Sequence, residues 1–224
     1  MKKRQVLANV AETLGALRLL ETARHVFPAR KRLVVLTYHR ILDIRPGDYP
    51  FDEQVVSATV RDFEQQVGYL SRHYQPITFE TLRRHYQEKT TLPPAPLILT
   101  FDDGYSDFYM NAFQILKRFD FPATVFLTTD LIGTNEPFWF EKIVYLIKHT
   151  RKPEIALPAA GIERLPLPSA DRQHICRRVL YQLKHVPDAV RLESLQHLED
   201  QLDVEIRSED LPLVRPLSWD EVQE

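Results

Sequence analysis

Apolar residues along this chain fall first into short unbroken runs alternating with helical spacing, and later into helical spacing alone. Leu33-Val34-Val35-Leu36-Thr37-Tyr38 is a β-branched run closed by His39-Arg40, and its length and content predict a buried parallel strand. A polar, proline-bearing loop follows from Asp43 to Glu53. Phe63, Val67, Leu70 and Tyr74 then recur at i, i+4, i+7 and i+11, the spacing of one helix face. Ile77 begins a brief extended piece, and Thr78 is placed to cap a short helix through Tyr86. Pro93, Pro94 and Pro96 stiffen the approach to a second strand, Leu97 to Phe101. After Gly104 a helix is predicted to about Phe119, with Phe108, Ala112, Ile115 and Phe119 on one side, and then a third strand, Ala123 to Leu127. Strand, helix and strand with short joints is the pattern of a parallel sheet. The fold class is α/β, either a (β/α) barrel or an open doubly wound sheet.

From Pro137 to Pro216 the pattern changes. Ile175, Val179 and Leu183 keep helical spacing, as do Leu195, Leu198 and Leu202, while five prolines punctuate the segment between Pro153 and Pro187. No strand is predicted there, so 137–216 reads as a helical insertion on the sheet framework of 33–136. Ser218-Trp219-Asp220-Glu221 is a capping box announcing a helix over 217–224. The sequence stops at Glu224, after barely one turn, which suggests a chain that was cut. At the other end, Leu7, Val10, Leu14 and Leu17 predict an amphipathic helix within 1–32. It would pack on the domain or, through Lys2, Lys3 and Arg4, make a weak membrane-surface contact. Glu12, Arg18 and Glu21 interrupt the apolar run, so no signal peptide or transmembrane segment is predicted. The default expectation is then a cytoplasmic chain, with a role at the cell envelope left open.

Composition narrows the function classes. Hydrophobic residues at 44% and charged residues at 27% are ordinary for a globular domain. A formal net charge of −2 leaves no basic excess to displace counterions, which argues against nucleic acid as a partner. The single cysteine, Cys176, excludes an internal disulfide and a cysteine-rich zinc site, and reads as a small helix residue without special chemistry.

The chemistry concentrates in Thr100-Phe101-Asp102-Asp103-Gly104-Tyr105. Two adjacent carboxylates stand where a buried strand ends, the end at which parallel sheets place ligands. With Gly104 permitting a tight turn, both can reach one pocket, and a divalent cation would relieve their repulsion. The alternative, that one of them caps the following helix, is equally open on these residues alone.

Together with Pro122-Ala123-Thr124-Val125-Phe126-Leu127, Thr37-Tyr38-His39-Arg40 and Leu217-Ser218-Trp219-Asp220-Glu221-Val222, this motif resembles the polysaccharide deacetylases of the NodB-homology type, carbohydrate esterase family four. The resemblance runs from Leu33 to Leu131 and resumes at Leu217. It implies a partial (β/α) barrel and metal-dependent hydrolysis of N-acetyl or O-acetyl groups on a carbohydrate polymer containing N-acetylhexosamine. Asp102 would be the general base and Asp103 a ligand of a divalent metal, zinc or a similar ion. His39 and Tyr105 would border the substrate pocket. Trp139, flanked by Phe138 and Phe140, is either a sugar-stacking surface or core.

The family's second motif supplies two more ligands from histidines separated by three residues. None of the eight histidines here has a partner at that spacing, and the later Arg-x-Pro-aromatic-Gly motif is also missing. Loss beyond one point with preservation before it fits C-terminal truncation better than a complete non-catalytic relative. The expectation is therefore a chain lacking its second and third metal ligands, with little activity, low stability and a tendency to aggregate. A carbohydrate-binding protein without chemistry is the main alternative. An aspartate-based phosphotransferase would need Asp-x-Asp spacing, which Asp102-Asp103 does not supply.

Overall fold

The structure, a computed structural model, describes residues 32–168 and 171–224. The helix expected within 1–32, and its membrane-surface contact, lie outside the described residues but for Arg32. Among the described residues no helix is long and apolar enough to cross a membrane.

The chain opens with β1 (Val34–Tyr38), a two-residue β2 (Arg40–Ile41) and β3 (Val56–Ala58). Helix α1 (Val60–His73) starts where the Thr59 hydroxyl accepts the Asp62 N–H, and it buries Phe63, Val67 and Leu70. After β4 (Gln75–Pro76), Thr78 caps α2 (Phe79–Glu88) as its sequence indicated. Strand β5 (Pro96–Phe101) is buried at every residue. A π-helical stretch, Phe108–Phe113, continues directly into α3 (Gln114–Arg118) and leads to β6 (Thr124–Val125).

Strand β5 is the axis of a four-stranded parallel sheet. Strand β1 pairs along one edge in full register, from Val34 opposite Leu97 to Tyr38 opposite Phe101. Strand β4 lies beside the start of β5 and β6 beside its end, both therefore on the other edge. One face of β5, with Leu97, Leu99 and Phe101, packs against Phe63 and Val67 of α1 and Ile115 and Leu116 of α3. Each such side chain contributes roughly 1.5–3 kcal/mol by leaving water. On the opposite face Ile98 packs with Ile77, Leu82 and Leu92. Alternation puts Val35 and Thr37 of β1, Thr100 of β5 and the residue after it, Asp102, on that second face. Among the described residues Val35, on the β1 edge, is 49% exposed there, while Ile98 and Thr100 of β5 are buried. The four strands form no closed barrel among the described residues.

The segment expected to be wholly helical is mixed. Between α4 (Trp139–His149) and α5 (Arg172–Leu183) lies an antiparallel hairpin, β7 (Glu154–Leu157) and β8 (Ile162–Pro166), and α6 (Asp188–Leu202) follows. The prolines that read as helix punctuation flank strands in which Ile155, Leu157, Ile162 and Leu165 turn inward. Hairpin and helices share a core of their own with Ile143, Ile147, Val179, Leu183 and Leu198. Cys176 is buried in it, its thiol pushed up to about 12 by burial, which suits an inert packing residue. Arg191 stacks its guanidinium over the Trp139 ring at 4.9 Å, so Trp139 belongs to this packing and is not a free sugar platform. The chain ends in α7 (Trp219–Gln223), whose capping box is formed as its sequence announced.

Candidate functional site

The parallel sheet brings the ends of β1, β5 and β6 to one side of the molecule. The register continues past the strands: the Asp102 N–H donates to the Tyr38 carbonyl at 2.9 Å, which sets His39 opposite Asp102. Their side chains face each other, His39 Nε2 lying 3.9 Å from Asp102 Oδ2, with 41% and 36% of the side chains exposed. The chain then turns on itself. Asp103 takes φ +72° and Gly104 φ +83°, two successive left-handed residues. Aspartate tolerates this region better than most side chains, and the φ at position 104 favours glycine. A Cβ there would meet Leu127 Cδ2 at 2.8 Å. The Asp103 carbonyl accepts the Thr128 N–H at 3.2 Å, tying the turn to the chain after β6.

Neither aspartate caps a helix. The π-helical stretch that follows starts from Asp107 and has no side-chain capping bond. Burial raises the Asp103 carboxyl above its usual range; His39 pulls it back down, Asp102 pushes it up, and Lys184 and Arg40 pull it down more weakly. Asp102, Asp103 and His39 therefore share one electrostatic neighbourhood.

Beneath the turn lies a charge network that sequence reasoning missed. Arg40, 1% exposed, forms an ion pair with Asp107 at 2.7 Å and with Glu141 at 3.3 Å. It also donates to the Tyr49 hydroxyl at 2.6 Å and the Leu213 carbonyl at 2.5 Å. Tyr105 corrects an expectation. It is fully buried, its hydroxyl donates to Glu141 Oε1 at 2.8 Å, and the Arg40 guanidinium covers its ring at 4.2 Å. It supports the turn from below and is not presented to a substrate. Burial outweighs three donors at Glu141 and raises its carboxyl to about 7. The available signal was Glu141 itself, the lone acid in the apolar run from Phe138 to Ile147.

The returning chain closes the arrangement. Ser106 N–H donates to the Arg215 carbonyl at 2.9 Å, Leu217 N–H to the Gly104 carbonyl at 2.8 Å, and Gly133 N–H to the Leu217 carbonyl at 2.8 Å. The end motif read from sequence thus lies directly against the aspartate turn. Two hollows open elsewhere. One of about 450 Å³ lies between Tyr38, Ser57, Gln66 and Tyr69; one of about 830 Å³ is lined by Phe108, Phe121, Leu127, Leu217 and Val222. Neither includes Asp102, Asp103 or His39, which sit instead at the ends of β1 and β5. The geometry of strand ends, and not the size of a hollow, marks this site.

The implied metal finds too few donors. Among the described residues no three His, Cys, Asp or Glu side chains come together in a way that could hold an ion. Catalytic zinc takes about three protein ligands, so the donors present do not fit a metal by themselves.

Residues 89–160 match the family described as Polysaccharide deacetylase. The chain is 31% identical over 91 residues to a Poly-beta-1,6-N-acetyl-D-glucosamine N-deacetylase of Escherichia coli K12, covering 40% of this chain and 13% of that protein. It is 38% identical over 81 residues to a protein of the same name from Staphylococcus epidermidis, covering 35% and 27%. The chain thus matches well under two thirds of either relative. Among solved structures, IcaB from Ammonifex degensii superposes with a TM-score of 0.41 at 25% identity, over 52% of this chain and 49% of that one. A polysaccharide deacetylase from Bacillus cereus superposes with a TM-score of 0.37 at 22% identity, over 74% and 55%.

Proposed function

We propose, from the premise that this chain belongs to the polysaccharide deacetylase family over residues 89–160, that it carries the acid–base part of a site that hydrolyses acetamide groups on an N-acetylhexosamine polymer. The sheet is then the first part of a (β/α) barrel. By analogy with the relatives' names, the polymer is a poly-β-1,6-N-acetylglucosamine. One observation carries the reading: His39 and Asp102 face each other at 3.9 Å from adjacent parallel strand ends, beside the strained Asp103-Gly104 turn.

Amide hydrolysis needs one group to take a proton from the attacking water and another to give one to the departing amine. Asp102 has a partly exposed carboxylate that faces the His39 imidazole at 3.9 Å, so it is placed to accept the water's proton. His39, facing Asp102 from the adjacent strand end, is a side chain able to pass a proton to the departing amine. Asp103 is the ligand this chain would bring to a divalent metal such as zinc, whose bound form supplies polarisation of the acetyl carbonyl. No second and third donor stands beside it among the described residues. That shortage also favours a second reading, a surface that binds the polymer without cleaving it.

Acetate release separates the two. Incubated with acetylated β-linked N-acetylglucosamine oligomers and excess zinc, the chain is expected to release acetate slowly, and Asp102→Asn to abolish the release. Binding without any acetate supports the second reading. Acetate release that Asp102→Asn leaves unchanged contradicts the assignment.

A further inference from the structure

The strand end carrying His39 is gripped by the segment carrying the two aspartates. Asp107 Oδ1 accepts the Ile41 N–H at 3.1 Å, and its Oδ2 accepts Arg40 Nε at 2.8 Å. Asn111 Nδ2 donates to the Ile41 carbonyl at 2.8 Å, and Asp102 N–H holds the Tyr38 carbonyl. Residues 38, 40 and 41 are thus each fixed by residues between 102 and 111, with His39 between them. Arg40 extends the grip to Tyr49, to Glu141 of α4 and to the Leu213 carbonyl, two residues before Arg215 closes on Ser106.

We propose that Arg40, with Asp107 and Asn111, is a positioning residue that sets the distance between His39 and Asp102. Its catalytic meaning rests on the deacetylase reading; its geometry does not. Arginine is required because the guanidinium offers five donors in a rigid fork, and here all three nitrogens are engaged at once. A lysine ammonium on a flexible stem cannot reproduce that fork. Stability alone does not account for the choice, because apolar replacement of a buried ion network is often neutral or stabilising. What the apolar alternative would lose is a fixed register between two strand ends.

The ring nitrogen resonances of His39, recorded by ¹⁵N NMR at one pH where the ring is neutral, read this register without substrate. In the unaltered background Asp102→Asn is expected to shift them. In Arg40→Lys and in Asn111→Ala that shift is expected to be lost, while circular dichroism still shows the fold. Asn111→Ala removes a single half-buried hydrogen bond and so remains folded if Arg40→Lys does not. A response to Asp102→Asn of undiminished size in the folded variants overturns the proposal. Absence of acetate release would defeat the deacetylase reading and leave this result standing, so the two failures are told apart.

Discussion

Glu141 is the residue at which this fold should feel pH. Its carboxyl accepts from Tyr105, from Arg40 and from the Asp52 N–H, all of which favour the charged form. Burial is nonetheless the larger influence and carries it from 4.5 to about 7. The folded chain therefore keeps a proton that the unfolded chain has released across that window. Stability falls as pH rises from about 4.5 to about 7 and levels off above, by on the order of 3 kcal/mol from this group. Urea melts at about pH 5 and about pH 8 should show the loss, and Glu141→Gln should flatten it. An equal slope in the variant assigns the effect to another group. At this scale the sequence disclosed which residues stand next to a strand end: Asp102, Asp103 and His39 lie near one another there. It did not disclose Tyr105, because adjacency to the turn says nothing about which way a ring points once Phe138 and Arg40 pack against it.

Among the elements, those set by an unbroken apolar run or by helix spacing were readable to within a residue or two, as β1, β5 and α2 show. The hairpin of β7 and β8 was not. Its inward residues are split by Pro158 and Gly161, so neither half is long enough to establish a period of two against the helices around it. The capping box of α7 was plain in the sequence, and its use emerges only in three dimensions. Ser218 N–H donates to Glu221 at 2.7 Å, the Glu221 N–H returns to Ser218 Oγ at 3.2 Å, and Arg215 clasps the same carboxylate at 2.8 and 2.9 Å. This rigid start of α7 is what holds Leu217 against Gly104. Ser218→Ala is expected to cost about 0.5–2 kcal/mol, read as a lower urea midpoint. It should also speed amide exchange at Leu217, whose N–H reaches the Gly104 carbonyl. Protection unchanged at Leu217 would mean that the strand-like contact stands without the cap.

Across the whole molecule, the two larger cores lie to either side of a third cluster of Tyr49, Phe51, Tyr105 and Phe138 at the aspartate turn. The sheet core supplies the strand ends, the core of the hairpin and helices supplies α4 with Glu141, and Arg40 joins them. The chain matches 13% and 27% of the two relatives' lengths, and the Asp102 side chain is 36% exposed among the described residues. Sequence could place the carboxylates at that strand end because strand-end chemistry is local. It could not show which other groups surround them, since that depends on how distant segments fold together. The proposed function requires that these strand ends, and neither of the two hollows, meet the sugar. Amide chemical-shift mapping during titration with a β-linked N-acetylglucosamine tetramer checks this. Shifts are expected to group at His39, Asp102, Asp103, Gly104 and Thr128. Shifts confined to the hollow around Phe108 and Leu217, or to that around Tyr69, with the aspartate turn unmoved, would contradict it.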